Sequence, residues 1–196
     1  MADVLQLLRT GTATEHEDVE RTLDLLDADL ERSRLVEVLD RLHGFCAAAE
    51  SGLDEWADRH PTDAAAVDWP RRRRAALFAE DLRALDTGTA ADTAADRPLL
   101  PPVRGTDEAL GRMYVLEGST LGGTFIDRHL AGLPQLADVR LRAFTPYGTQ
   151  TGAMWHAFRS ATRHRVADGG DAGTVVAAAR DTFAALAQWC RPAGVR

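Results

Sequence analysis

The chain reads as an all-α protein, and three observations carry that reading. Six stretches repeat apolar residues at intervals of three or four, the period of a helix. No stretch longer than a few residues alternates apolar and polar side chains in the manner of a half-buried strand. Prolines and glycines gather between the six stretches, with the fourth as the exception. With 196 residues, 45% of them hydrophobic, residues 1–196 can bury one core without disulfides and are expected to form a single domain.

The first stretch, about residues 3–26, sets Leu5, Leu8, Thr12, His16, Val19, Leu23 and Leu26 on one helical face. The second, about 33–58, does the same with Leu35, Leu39, Leu42, Cys46, Ala49, Leu53 and Trp56, and Ser33 is its expected N-cap. The third covers about 70–86, opened by Trp69-Pro70. Between Thr87 and Thr106 the composition turns to Thr, Ala, Asp and Pro and ends in Leu99-Leu100-Pro101-Pro102, a loop inside the domain. The fourth helix opens at Thr106 or Asp107 and continues to about Leu130. A fifth, about 150–167, carries Met154, Trp155 and Phe158 and stops at Gly169-Gly170. The sixth, about 172–190, packs Val175, Val176, Phe183, Leu186 and Trp189.

Charge and composition exclude several functions. A net charge of −7 argues against nucleic acid or an anionic membrane as partner, since both need a basic field. The run Arg71-Arg72-Arg73-Arg74 departs from that balance and reads as a solvated helix start. Neither end carries a basic segment running into an apolar stretch, and no run approaches membrane-spanning length, so a cytoplasmic protein is expected. Cys46 and Cys190 lie far apart and read as ordinary thiols. There is no lysine, so any cation offered to a ligand must be arginine or protonated histidine.

Two segments can carry chemistry. His16 sits on the apolar stripe of the first stretch, where an imidazole needs a buried hydrogen-bond partner or a metal. Arg9 precedes it by about two helical turns, so a cation stands beside the candidate ligand. That pairing suits a flat dianion with a central metal, whereas a salt bridge from Arg9 to Asp3 or Glu15 is the plainer reading. The fourth stretch holds Gly111, Gly118, Gly122 and Gly123 inside a helix, each costing about 1 kcal/mol against alanine. Gly118 and Gly122, one turn apart, clear one face for a ligand or for a second helix backbone.

The run Met113-Tyr114-Val115-Leu116-Glu117-Gly118-Ser119-Thr120-Leu121-Gly122-Gly123 resembles the distal helix of bacterial heme oxygenases. Leu8-Arg9-Thr10-Gly11-Thr12-Ala13-Thr14-Glu15-His16 through Glu20 resembles their proximal helix. The similarity is closest to the biliverdin-forming type associated with bacterial phytochromes, which also carries sequences like Thr145-Pro146-Tyr147-Gly148 followed by Trp155 and Phe158.

The resemblance implies a heme-oxygenase-like helical bundle in which heme, cofactor and substrate at once, lies between a proximal and a kinked distal helix. It implies His16 as the axial iron ligand and Gly118, Gly122 and Gly123 as backbone close to the opposite heme face. Arg9, Tyr114, Arg159 and Arg163 would meet the propionates. Gly118, Ser119 and Gly122 would serve catalysis by steering O2 toward one meso carbon, giving biliverdin, CO and ferrous iron. Many members carry an aspartate directly after the first distal glycine. Ser119 stands there instead, so its hydroxyl, a backbone carbonyl or an arginine would have to organise the proton supply. With no nucleotide fingerprint and no cysteine set for an iron–sulfur cluster, electrons would come from a ferredoxin or flavoprotein reductase. A bacterial phytochrome is a candidate partner.

Four other readings compete. A non-catalytic heme carrier of the same fold is compatible with Ser119. A non-heme iron oxidase is suggested by Glu17, Glu20 and Glu117 but lacks the paired Glu-x-x-His pattern. A thiamin-degrading relative lacks a persuasive cysteine nucleophile. A plain helical interaction protein leaves both motifs as coincidence.

Overall fold

A computed structural model describes residues 3–85 and 97–191. Eight α-helices follow one another: α1 (Val4–Gly11), α2 (Ala13–Leu23), α3 (Arg32–Arg59), α4 (Pro61–Ala66), α5 (Ala75–Ala84), α6 (Thr106–Gly132), α7 (Thr151–Ala167) and α8 (Ala172–Cys190). No strand occurs among the described residues, so the all-α class holds.

α8 is the organising element, because its buried stripe of Val175, Ala179, Thr182, Phe183, Leu186, Ala187 and Cys190 is wide enough to serve several neighbours. It packs against α6, α2, α1 and α3, while α5 lies on α3 and α7 on α6 and α1. The approach of α6 to α8 depends on Gly111. A Cβ there would run into the Val175 carbonyl, the Ala178 side chain and the Ala179 amide. α6 starts with the Gly105 N–H donating to the Glu108 carboxylate at 3.1 Å, the Glu108 half of a capping box. α7 stops where expected, at Gly169 with φ 100° and the Gly170 N–H returning to the Arg165 carbonyl.

Three expectations need correction. The first stretch is two helices, interrupted at Thr12, whose N–H and hydroxyl both donate to the Leu8 carbonyl (3.0 and 2.7 Å). Thr12 itself has φ −118° and ψ 6°, outside the helical range, which separates the two helices. The second helix begins at Arg32, with Glu31 rather than Ser33 at the cap position and no side-chain cap bond. The third begins at Ala75, because Pro70 opens a 3-10 turn over Trp69–Arg72 instead.

That turn overturns the reading of the arginine run. Arg71 and Arg73 are exposed, but Arg72 and Arg74 are 2% and 4% exposed and point into the protein. Of the loop expected between Thr87 and Thr106, residues 86–96 lie outside the described residues, and 97–104 form an irregular segment leading into α6. No described helix is long and apolar enough to cross a membrane.

Candidate functional site

α6 meets the α1–α2 junction at Tyr114. Its phenol lies beside the Thr12 hydroxyl and in the field of the Arg9 guanidinium. Burial pushes the phenol pKa up, against the opposing pull of both neighbours. Trp155 backs Tyr114 at 5.9 Å between ring centroids, and Phe158 stacks on Trp155 at 5.6 Å. One helical turn from this contact in each chain direction of growth stand His16, four residues after Thr12, and Gly118, four after Tyr114.

The glycines of α6 divide into two kinds. A Cβ on Gly123 would run into the Phe144 carbonyl, and one on Gly111 into α8, so those two serve packing. A Cβ on Gly118 or Gly122 would meet nothing within 4 Å. Tyr114, Gly118 and Gly122 form one stripe, and Leu121 and Phe125, large apolar side chains 39% and 66% exposed, stand next to it. The protein thus exposes backbone and apolar side chains on one part of α6, without any packing reason for glycine there.

His16 is not in a buried stripe as expected. Its side chain is 54% exposed, Nδ1 lies 3.6 Å from the Glu20 carboxylate, and Phe183 of α8 meets its ring edge-on at 5.6 Å. Leu8, Thr12 and Val19 take the core positions, and His16, at the margin of their stripe, is left open to solvent. Arg9 is also exposed and enters no ion pair among the described residues. Its two plainer partners are taken: Asp3 binds Arg163 at 2.6 Å, and Glu15 binds Arg180 at 2.7 Å. Arg163 holds Asp3 through both Nε and Nη2, and half-buried Arg159 adds its charge to the same carboxylate.

Behind the open stripe lies a buried polar network that sequence reasoning missed. Glu117, 1% exposed, pairs with Arg72 at 2.5 Å and accepts the Tyr147 hydroxyl at 2.6 Å. Burial and the Glu117 charge push the Tyr147 phenol far up. Arg74 donates through Nη2 to the Leu116 carbonyl (2.7 Å) and to Ser119 Oγ (2.9 Å), and the Ser119 hydroxyl donates to Leu116 (2.8 Å). Glu50 of α3 accepts the backbone N–H groups of Arg74 and Ala75 at 2.7 and 2.8 Å. The arginine run therefore clamps α6 from behind at the level of Gly118. The available signal was Glu117 itself, a carboxylate in an apolar stretch that needs a cation.

These contacts weigh against two competing readings. Glu117 faces Arg72 and Tyr147 rather than His16, and no group of three His, Cys, Asp or Glu able to hold a metal occurs among the described residues. Both cysteines are buried, with thiols pushed up to about 12, the reverse of an activated nucleophile.

The fold and site define an all-α protein with an exposed histidine on one helix and a glycine-cleared stripe on another, each one turn along from the contact of Thr12 with Tyr114. The family described as heme oxygenase matches residues 2–192. A heme oxygenase of Xanthomonas campestris pv. campestris (strain 8004) is 31% identical over 160 residues, 81% of this chain and 87% of that protein. The structure of heme oxygenase from Leptospira interrogans superposes with a TM-score of 0.70 at 16% identity, covering 96% of this chain and 98% of that one. The chain belongs to the heme oxygenase family.

Proposed function

We propose that heme binds in the open space between α2 and α6 and is cleaved there to biliverdin, CO and ferrous iron with O2 and external electrons. The observation that supports this most is the pair Gly118 and Gly122. Each forgoes about 1 kcal/mol of helix stability and neither meets a neighbour within 4 Å, so the compensation must come from something outside the chain. A flat macrocycle resting on bare backbone supplies it.

Heme supplies the iron that binds O2 and the ring that is oxidised. His16 would hold the heme iron in this reading, steadied by the Phe183 edge and by Glu20 at its Nδ1 side, which leaves Nε2 as the nitrogen free to bind it. Arg9 and Tyr114 receive a propionate at the Thr12 contact, the guanidinium by a charge-assisted bond and the phenol by its O–H. Arg159 and Arg163 flank that end, with Arg163 exchanging Asp3 for a propionate. Gly118, Gly122 and, from behind, Gly123 keep the α6 backbone close to the distal heme face and exclude bulk that would block O2. Ser119 offers an oxygen already fixed by Arg74, so it holds a water molecule while Arg74 supplies the fixed positive charge that orients it. Electrons come from a ferredoxin or flavoprotein reductase in the cytoplasm, and a bacterial phytochrome is a recipient for the biliverdin.

Hemin titration of wild type, His16→Ala and Gly122→Leu tests the site. Wild type is expected to form a one-to-one Soret complex. His16→Ala should shift the Soret band through changed axial ligation, and Gly122→Leu should retain His16 ligation but lose O2 chemistry. Wild-type spectra and turnover in both variants would overturn it.

A further inference from the structure

Glu50 stands one helical turn before Asp54 on α3, and the two carboxylates grip the arginine run at different points. Asp54 accepts the Trp69 indole N–H and pairs with Arg73, each at 2.7 Å. Glu50, 8% exposed, takes the inner end of the run. Its Oε1 alone accepts the N–H groups of Arg74 and Ala75, where α5 opens. Arg74 occupies the N-cap position but gives no side-chain cap bond, so these amides rely on the carboxylate from α3.

An arginine anchored in this way is fixed at its backbone end. The Arg74 side chain, 4% exposed, runs from there to α6, where Nη2 meets the Leu116 carbonyl at 2.7 Å and Ser119 Oγ at 2.9 Å. Its remaining contact, Nη1 to the Ala143 carbonyl, is long at 3.5 Å. Glu50 also lies in the electrostatic field of Arg74, so the same carboxylate serves as backbone anchor and as nearby opposite charge.

The consequence falls on Ser119. A hydroxyl has one proton to donate and two lone pairs to accept with. The proton goes to the Leu116 carbonyl at 2.8 Å and one lone pair receives Arg74, so Ser119 can only accept from anything else. Ser119 is exposed, follows Gly118 directly and neighbours Gly122 at i, i+3, beside the space that the two missing side chains leave. Without Arg74 the hydroxyl would be free to turn and to donate.

We propose that Glu50 is a positioning residue for the heme reaction: by holding the Arg74 backbone it keeps the guanidinium on Ser119, and so presents Ser119 to the distal side of the heme as a hydrogen-bond acceptor. This rests on the reading that heme lies along Gly118 and Gly122. A water molecule at Ser119 then donates one O–H to the serine and keeps the other to give across the groove, a fixed polarity that suits proton supply.

The geometric half is read in the heme-free protein by proton–nitrogen NMR of the Arg74 guanidinium, assigned by the loss of its signals in Arg74→Lys. A pinned guanidinium gives resolved Nη–H signals. Wild type and Glu50→Gln, whose amide oxygen can accept the same two N–H groups, should show them, and Glu50→Ala should lose them. The functional half is read as the pH midpoint of the acid–alkaline absorption change of the ferric hemin complex. Ser119→Ala should lower that midpoint by about half a unit to one unit, because an acceptor favours the form that carries the extra proton and one hydrogen bond is lost. Glu50→Ala should lower it in the same direction, Glu50→Gln should restore the wild-type value, and Glu50→Ala should add nothing to Ser119→Ala. If Glu50→Ala does not fold, Glu50→Asp takes its place, one methylene too short to reach both N–H groups and expected to shift the midpoint the same way. Resolved Arg74 signals in Glu50→Ala, a midpoint that moves as far in Glu50→Gln as in Glu50→Ala, or additive effects of Glu50→Ala and Ser119→Ala would each overturn the proposal. A wild-type chain that binds no hemin would instead overturn the heme reading, and with it the part of Glu50 in the reaction, whatever the NMR signals show.

Discussion

Replacing the four glycines of α6 one at a time by alanine separates ligand-facing from core-facing positions. Gly118 and Gly122 have helical backbone and open space where a Cβ would stand, so each alanine recovers about 1 kcal/mol of helix propensity in the heme-free protein. For a chain of this size that corresponds to a rise of about 2–4 °C in Tm per substitution and about 4–8 °C for the pair. Gly111 and Gly123 are opposite in sign, since a Cβ there collides with α8 backbone or with the Phe144 carbonyl, and overpacking costs about 1–3 kcal/mol. Calorimetry of the heme-free proteins reads all four. Hemin titration of the same proteins should then show weaker binding in the Gly118→Ala/Gly122→Ala pair despite its higher Tm. A lower Tm for that pair would mean the stripe is packed, and a higher Tm with unchanged hemin affinity and turnover would remove the ligand from the explanation.

Three further outcomes follow from the buried polar groups. Arg72→Met should cost about 3–5 kcal/mol by leaving Glu117 charged and unpaired, and Arg72→Met/Glu117→Gln should recover much of it in denaturant unfolding; an equally unstable double variant would contradict pairing as the cause. Burial raises the Glu50 pKa above its ordinary 4.5, outweighing the two N–H bonds and Arg74, so its contribution is fully present below that value and is lost as pH rises through the folded-state pKa. Unfolding of Glu50→Gln against wild type should therefore favour the variant increasingly as pH rises across that window, and a difference of opposite slope would refute it. Cys46 and Cys190, with thiols pushed up to about 12, should resist a thiol-reactive disulfide reagent in the native protein and react only on unfolding; rapid native labelling of either would contradict their burial.

Helix content and order were legible because apolar period is strong over long segments: the expected 172–190 helix coincides with α8, and 106–130 with most of α6. The break at Thr12 was not, because it rests on the backbone angles of one residue, which periodicity does not register. His16 lies at the margin of the stripe formed by Leu8, Thr12 and Val19 and is exposed, so the expected burial of its imidazole does not hold. Tyr114, Arg9, Gly118 and Gly122 were all named from the sequence, but spacing could not divide the glycines into packing and open positions, since that depends on α8 and Phe144 from far along the chain. Arg72 and Arg74 were hidden by their own run: four arginines look solvated, and only the 3-10 turn alternates them inward.

The central claim is that this groove destroys the heme it binds. The direct measurement is absorption spectroscopy of the one-to-one hemin complex in air on addition of a ferredoxin–reductase system. Decay of the Soret band with growth of a biliverdin band and release of CO is the predicted result. A tight complex whose Soret band persists under reductant and O2 would contradict it and make the protein a heme carrier.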